Sequence, residues 1–313
     1  MPPPFRFGLQ ISLGSESLIA DAQAAEASGF DVVSVADHIG PGLSPMPALA
    51  AIATQTSSIR LGTFVINAEF RNPVQLAWEA ATLDQLSAGR FELGVGAGHT
   101  PAEFAALGID KVPAKVRKIR LAESVEIMRR LFDGQTVTHR SEFFDLDRAS
   151  LDVPVQDHLP ILVGGNGDAL LDHAGRHADI VGLQGLGRTL EDGHRHTVNW
   201  SAGHLDQQVA TVAGASRASG RDGGPELNAL VQILEVSDGS DEGASQLEDA
   251  RAGVLERVEG LTLEQLDYIP YALIGTVDEV ASKIEMCRER WGISYIVVRD
   301  RAAFAPVIDR LRS

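Results

Sequence analysis

Residues 57–99, SSIRLGTFVINAEFRNPVQLAWEAATLDQLSAGRFELGVGAGH, contain the pattern that decides the fold. An apolar strand over 59–66 is followed by Asn-Pro at 72–73, where Asn is a good N-cap and Pro suits the first helical turn. The predicted helix stops at Gly89, and a second apolar strand follows over 91–95. Two strands joined by one helix in this way predict a parallel βαβ unit.

The same alternation extends along the whole chain. Six further apolar segments are predicted strands: 5–11, 31–36, 161–163, 179–183, 227–236 and 294–298. Eight such strands with intervening helices predict an α/β fold, a (β/α)8 TIM barrel, as a single domain over 1–313. The alternative is a doubly wound open sheet. Insertions are expected around 99–160, with a helix and a hairpin, and around 237–292, with two or three helices.

Composition limits the class of protein and its partners. The 313 residues are 44% hydrophobic and 22% charged, and 27 basic against 43 acidic residues give a net charge of −16. No apolar run approaches the ~20 residues that cross a bilayer. The single cysteine, Cys287, excludes an internal disulfide, so a cytoplasmic protein is expected. Because an acidic chain repels nucleic acid and anionic membranes, neither is an expected partner.

Polar residues and glycines follow five of the predicted strands. These segments are Asp37-His38, Asn67 to Arg71, Gly96 to His99, Gly164 to Gly167, and Gln184 to Arg188. Because the active site of a barrel lies at the C-terminal ends of its strands, they are expected to line one pocket. His38 is the candidate acid/base, with a structural histidine as the alternative, and Asp37 is expected to orient it or to bind the ligand.

Two glycine-rich segments suggest how a cofactor would approach. Residues 94–98, GVGAG, resemble a dinucleotide fingerprint, but His99 stands where its third glycine would fall. We interpret this segment as bare backbone that lets a flat ring come close. Gly164-Gly165-Asn166-Gly167 precedes a predicted helix over 168–177, so its amides either attract phosphate, with Arg188 adding positive charge, or form a positive-φ turn.

No metal site is predicted. His173 and His177 are spaced i, i+4 on the helix over 168–177, but no carboxylate accompanies them as in the zinc-protease motif, and a solvated helix face is the preferred interpretation. A metal at His194 and His196 is likewise not expected. A basic cluster over 111–120 is either a solvated face or a groove for a polyanionic tail.

Five segments together resemble the luciferase-like monooxygenase superfamily, and more closely its actinobacterial branch of deazaflavin-dependent (coenzyme F420) oxidoreductases. They are GFDVVSVADHIG at 29–40, the block at 57–99, PILVGGNG at 160–167, HADIVGLQG at 177–185 and YALIGTVDEVASKI at 271–284. The resemblance implies a flavin or deazaflavin over the strand ends. It also implies a bulge at Phe64-Val65, where relatives carry a non-prolyl cis peptide. The cofactor-binding residues it implies or supports are Asp37, His38, Phe64, Val65, Asn67, Gly96, Gly98, His99, Gly164, Gly165, Asn166, Gln184, Gly185 and Arg188.

The function that the resemblance implies is hydride transfer between coenzyme F420 and a small organic substrate, with His38 as acid/base helped by Asp37. One alternative is an FMN-dependent monooxygenase that uses reduced flavin and oxygen, and another is a non-catalytic carrier of such a cofactor. Sugar-oxidising members of the branch have an acidic residue where His99 stands, so the substrate stays open. A homodimer is expected from the family and from base rates.

Overall fold

The structure, a computed structural model, describes residues 4–14, 16–40, 42–151, 156–189, 196–258 and 260–313. The side chains of residues 188 and 189 and all of His194 lie outside this description. The strands are β1 Arg6–Ile11, β2 Val32–Val35, β3 Arg60–Thr63, β4 Ile66–Asn67, β5 Phe91–Gly96, β6 Val137–Arg140, β7 Asp145–Ala149, β8 Ile161–Gly164, β9 Ile180–Leu183, β10 Leu186–Thr189, β11 His196–Val198, β12 Glu226–Leu230, β13 Ile233–Ser237, β14 Ala272–Thr276 and β15 Ile293–Val298.

The α-helices alternate with these strands. They are α1 Leu18–Ala27, α2 Pro45–Ala53, α3 Pro73–Leu86, α4 Pro101–Ala106, α5 Ala114–Phe132, α6 Asp168–His177, α7 Ala202–Ala218, α8 Asp241–Arg257, α9 Leu263–Tyr268, α10 Val277–Trp291 and α11 Arg301–Arg312. A 3-10 helix covers Ala68–Phe70. No helix of the described ranges is both long enough and apolar enough to cross a membrane.

Eight of the strands form a closed parallel barrel. Their order is β3-β2-β1-β15-β12-β9-β8-β5, and β5 pairs back to β3. The closing pairs are Leu61 with Phe91 and Gly62 with Glu92. The predicted (β/α)8 barrel is therefore confirmed, and the open sheet is excluded.

The strand predicted over 59–66 is interrupted near its C-terminal end. β3 stops at Thr63, a non-prolyl cis peptide joins Phe64 to Val65, and β4 resumes at Ile66. Ile66 then pairs with Val95 of β5, which returns the chain to the barrel wall. The bulge that the resemblance implied is confirmed, and it carries the non-prolyl cis peptide that relatives have there.

The barrel interior has an apolar part and a polar end. Val32, Leu162, Ile180, Leu230 and Val297 belong to one buried cluster inside the barrel, and the bulge residue Phe64 packs with them. At the N-terminal ends of the strands, one guanidinium joins three strands that are not neighbours in the barrel: Arg6 of β1 donates to Glu92 of β5 and to Glu226 of β12, each at 2.5 Å. Because these ion pairs lie across the N-terminal end of the barrel, a ligand is expected to bind at the C-terminal end.

The elements found in the two insertions agree with the prediction. Residues 99–160 contain α4, α5 and the antiparallel hairpin β6–β7, and residues 237–292 contain α8, α9 and α10.

The strand predicted over 227–236 is wrong, because the chain leaves the barrel after Leu230. β13 instead pairs with β14 in a separate two-stranded sheet. Apolar periodicity does not show where a strand changes partner.

Candidate active site

A cavity of about 1110 Å³ opens at the C-terminal ends of the barrel strands. Twelve of the predicted site residues line it: Asp37, His38, Phe64, Val65, Asn67, Gly96, Gly98, His99, Gly164, Gly165, Asn166 and Gln184. The fold therefore brings all five predicted strand-end segments to one face, and four of them line this cavity with their predicted residues. The fifth contributes Gln184 but not Gly185.

Gly185 was predicted to bind the cofactor, but it does not line the cavity, for a reason of packing. Its carbonyl accepts a hydrogen bond from Trp200 Nε1 at 3.0 Å, and a Cβ on it would lie 2.7 Å from Tyr271 Cδ2. It also has φ +65°, which favours glycine. Gly185 is therefore needed for packing under Trp200 and Tyr271 and does not touch the cavity. Arg188 lies in β10, and its side chain is outside the described residues.

Val65, Asn67, Gly96, Gly98 and Gly164 form what we call the cavity floor. A Cβ on Gly96 would lie 2.7 Å from Val65 Cγ2, and one on Gly164 would lie 3.0 Å from Val65 Cγ1. These glycines therefore make room for Val65. The interpretation of residues 94–98 as bare backbone open to a ring is not what the geometry shows at Gly96, because Val65 fills the space in which a side chain of Gly96 would stand and itself lines the cavity.

Asp37 holds the floor in place. Its buried carboxylate accepts from Arg71 Nη1 at 2.5 Å, from Arg71 Nη2 at 3.0 Å and from the Asn67 backbone N–H at 2.9 Å. This bidentate pair fixes the chain just after the bulge. The prediction that Asp37 orients His38 is therefore not what the geometry shows.

Glu103 makes the contact that had been assigned to Asp37. His38 Nδ1 lies 2.7 Å from Glu103 Oε1, and the side chains are 58% and 8% exposed, respectively. Glu103 lies on α4, in the insertion after β5, and sequence reasoning missed it. Its only signal was an acidic residue four positions after a strand-end histidine. A buried carboxylate thus holds an exposed imidazole at the cavity mouth.

Three histidines lie in a row along this mouth, and we call them the imidazole row. The ring centroids of His38 and His99 are 6.0 Å apart, and those of His99 and His196 are 4.9 Å apart. Burial, with smaller effects from His196 and His38, lowers the pKa of His99 to about 4. His99 is therefore neutral at neutral pH. His196 comes from β11 and was not predicted as a pocket residue.

Lys111, Arg117 and Lys118 form a basic wall on the same cavity. Lys111 Nζ donates to the His99 carbonyl at 2.6 Å, Arg117 Nε to the Ala97 carbonyl at 3.0 Å, and Lys118 Nζ to the Asn166 carbonyl at 2.5 Å. Within the described ranges, no carboxylate lies within 4 Å of any of these cations. Burial lowers the pKa of all three.

The other members of the predicted basic cluster behave differently. Arg120 pairs with Glu69 at 2.7 Å, and Lys115 is exposed and does not line the cavity. Each of the two interpretations therefore holds for some members of the cluster. Lys111, Arg117 and Lys118 line a groove, whereas Lys115 lies on a solvated face.

The glycine loop after β8 has the geometry of a positive-φ turn. Gly165 has φ +152° and Gly167 has φ +100°, where the helix α6 begins. Lys118 Nζ lies 2.7 Å from the place where a Cβ on Gly167 would stand. The turn alternative is confirmed, and Lys118 is the cation beside this loop. A phosphate there stays a prediction.

A second cavity of about 550 Å³ adjoins the first. The two share Gln10, Ala36, His38 and Arg299 as lining residues. Arg299 Nε donates to Gln10 Oε1 at 2.8 Å, and Gln10 Nε2 donates to the Phe64 carbonyl at 3.0 Å. Gln10 thus connects the cis peptide bulge to Arg299. Sequence reasoning did not identify either residue.

Known proteins share parts of this chain. Its sequence is 38% identical over 189 residues to the F420-dependent glucose-6-phosphate dehydrogenase of Nakamurella multipartita, which is 57% of this chain and 56% of the relative. The chain thus spans little more than half the length of that curated relative.

Solved structures resemble it more completely but at lower identity. An F420-dependent secondary alcohol dehydrogenase in complex with an F420–acetone adduct has a TM-score of 0.78 at 20% identity, covering 99% of this chain and 100% of the other. A riboflavin lyase with modified FMN and riboflavin has a TM-score of 0.76 at 18% identity, covering 99% and 92%. These likenesses show a shared fold. The family model for luciferase-like monooxygenases matches residues 5–295. The chain therefore belongs to the luciferase-like monooxygenase family.

Proposed function

We propose that this protein binds coenzyme F420 in the larger cavity and transfers a hydride between it and a small organic substrate. The observation that carries the proposal is the meeting of His38, Val65 and Gly98 on one cavity, although they are far apart in sequence. The F420-dependent dehydrogenases among its relatives support the same choice of cofactor.

The floor offers a fit for a flat heteroaromatic ring. Val65 presents an apolar surface, and Asn67 Nδ2 is buried without a hydrogen-bond partner among the described residues. Its side-chain oxygen is already used, because it accepts from the Glu69 backbone N–H at 3.1 Å. A ring carbonyl or ring nitrogen would supply the acceptor that Asn67 lacks.

The basic wall offers a fit for the anionic part of the cofactor. F420 carries a phosphate and a lactyl-glutamate tail, and this chain has a net charge of −16. Lys111, Arg117 and Lys118 place positive charge along the cavity, and none of them forms an ion pair within 4 Å with a carboxylate of the described residues. Lys118, next to the loop at 164–167, would hold the phosphate.

His38 would move the proton. When bound, F420 supplies or accepts the hydride through its deazaflavin ring. With Nδ1–H of His38 donating to Glu103, Nε2 is the atom left to give or take a proton from the substrate. Glu103 is then a positioning residue that sets the ring orientation, while Asp37 acts on the floor through Arg71.

The substrate would enter from the smaller cavity, since His38 stands on the wall that both cavities share. Arg299 lies on that wall too and has no carboxylate within 4 Å in the described part of the chain. We propose that it contacts a polar or anionic group of the substrate.

The test is to incubate the purified protein with F420 and with FMN separately, desalt it and record the absorption of the retained chromophore. The proposal requires that F420 is retained. A His38→Ala variant is expected to keep F420 binding and to lose about 10²- to 10⁴-fold in turnover, the usual contribution of a general acid/base. Unchanged turnover would remove His38 as the acid/base, whereas a wild type that retains F420 and shows no turnover would favour a non-catalytic carrier.

The second candidate is an FMN-dependent monooxygenase, favoured by the likeness to the FMN-bound riboflavin lyase structure. Charge reversal at Lys111 separates the two, because Lys111 contacts the His99 carbonyl rather than the loop at 164–167 and FMN lacks the glutamate tail. Lys111→Glu should weaken F420 binding by about tenfold or more and leave FMN binding nearly unchanged, since a charged hydrogen bond is worth about 1.5–3 kcal/mol. Lys115→Glu is the matched control, because Lys115 is exposed and does not line the cavity, and it should leave F420 affinity nearly unchanged. Retention of FMN but not of F420 would support this second candidate.

The homodimer stays a prediction. Sedimentation equilibrium of the purified protein tests it directly.

A further inference from the structure

Away from the cavities, two neighbouring helices bring two histidines and a glutamate together. His173 and His177 lie one turn apart on α6, and Glu126 lies on α5. Each offers one ligand atom, and the three atoms lie within 4.8 Å of one another. On α6 itself, the neighbouring Asp172 pairs with Arg176, and the packing of α5 against α6 brings Glu126 to the histidine pair.

The spacing is close to that of a metal-bound set. Glu126 Oε1 lies 3.8 Å from His173 Nδ1 and 3.8 Å from His177 Nε2. In a tetrahedral zinc site with bonds of about 2.1 Å, neighbouring ligand atoms are about 3.4 Å apart. The carboxylate is half exposed and can rotate, so shifts of about 0.4 Å would bring its oxygen to that spacing from each histidine nitrogen.

The two imidazoles are held against each other by packing. The His173 side chain is only 13% exposed, and its Nε2 is buried without a hydrogen-bond partner among the described residues. The His177 ring stacks on the His173 ring with the centroids 4.5 Å apart. In the described ranges, no Lys or Arg lies within 4 Å of the Glu126 carboxylate.

We propose that Glu126, His173 and His177 bind one divalent transition-metal ion such as Zn²⁺, with water in the remaining position. Two imidazoles and a carboxylate suit zinc, whereas Mg²⁺ and Ca²⁺ prefer oxygen ligands alone. The ion would join α5 to α6 on the outside of the barrel. This site does not depend on the proposed redox function.

The experiment is a calorimetric titration of chelator-treated, full-length protein with ZnCl₂. The wild type should show one saturable site involving these residues. His177→Ala should weaken zinc binding by more than about tenfold, because even the loss of a group that only supports a ligand costs 10- to 100-fold. Glu126→Gln should weaken it as well. His99→Ala is the control for the imidazole row and should leave this affinity unchanged.

Thermal melting without metal shows whether each variant is still folded, so that a loss of zinc affinity can be assigned to the missing ligand. His177 is partly exposed, and its variant should melt at the wild-type temperature without metal. Zinc should then raise the melting temperature of the wild type and of His99→Ala, but not of His177→Ala. The absence of a saturable site, or zinc affinity that His177→Ala leaves unchanged, would overturn the proposal.

Discussion

The cavity floor and the imidazole row face the same space but are held by different means. The floor is fixed from several sides, because Val65 fills the space over Gly96 and Gly164, and a bidentate ion pair holds the chain beside Asn67. In the row, the contact that fixes His38 is the one to Glu103. We infer that the floor is built to keep one shape for a cofactor, whereas the row can vary with the substrate.

The strongest way to break this comparison is to disturb the packing beneath the floor. A Cβ on Gly94 would lie 1.9 Å from the Thr63 carbonyl oxygen, which belongs to the backbone and cannot move aside. Gly94→Ala should therefore lower the free energy of unfolding by more than about 4 kcal/mol, measured by urea denaturation. Gly214→Ala, which meets no atom within 4 Å in helix α7, should be neutral or slightly stabilising. Equal losses in the two variants would contradict this explanation.

The ion pair at the floor should matter less than the glycine but more than a surface pair. Asp37→Asn leaves Arg71 without its buried counter-charge and should cost about 3 kcal/mol of unfolding free energy. The matched control is Asp278→Asn, because the pair of Asp278 with Arg310 at 2.6 Å is exposed and should cost less than about 1 kcal/mol. Chemical denaturation at neutral pH measures both. A small effect of Asp37→Asn would mean that this pair does not stabilise the floor.

The imidazole row should make stability depend on pH. The pKa of His99 is about 4 in the folded state, below its ordinary value of 6.5, so the unfolded chain takes up the proton first as the pH falls. The contribution of His99 to the free energy of unfolding is therefore fully present above about pH 6.5 and is lost as the pH falls from about 6.5 to 4. Because the ring is partly exposed, we expect only about 1–2 kcal/mol. His99→Asn should flatten the pH dependence of unfolding over this range, and an unchanged profile would contradict the assigned burial.

The smallest effect is expected from the residue that orients His38. Glu103→Gln keeps the shape and removes the charge, so we expect turnover to fall about tenfold, less than the loss on removing the acid/base itself. F420 affinity and the melting temperature should stay close to the wild type. Steady-state kinetics with a separate titration of the cofactor distinguishes this from a structural role. A fall in affinity that equals the fall in turnover would assign Glu103 to the floor instead.

The sequence predicted the floor better than the row for a physical reason. Strand ends in a parallel barrel converge on one face, so Asp37, Asn67 and Gly98 could be placed together from periodicity alone. Glu103 reaches the cavity from the insertion over 99–160 and His196 from the β10–β11 hairpin, and the course of both segments depends on tertiary packing that no periodicity records.

The role of individual residues was also harder to predict than their position. Asp37 stands beside His38 in sequence, yet the two side chains point to different partners. The glycines at 94 and 96 were taken as space for a ligand, whereas Thr63 and Val65 fill that space. Adjacency in sequence therefore located the site without assigning its contacts.

The central claim is that the cavity floor, the imidazole row and the basic wall would together hold coenzyme F420. Its most direct test is an equilibrium titration of the purified protein with F420, followed by the fluorescence of the deazaflavin. We expect saturation at one F420 per chain, with a dissociation constant well below the millimolar range. A dissociation constant above the millimolar range would contradict the claim.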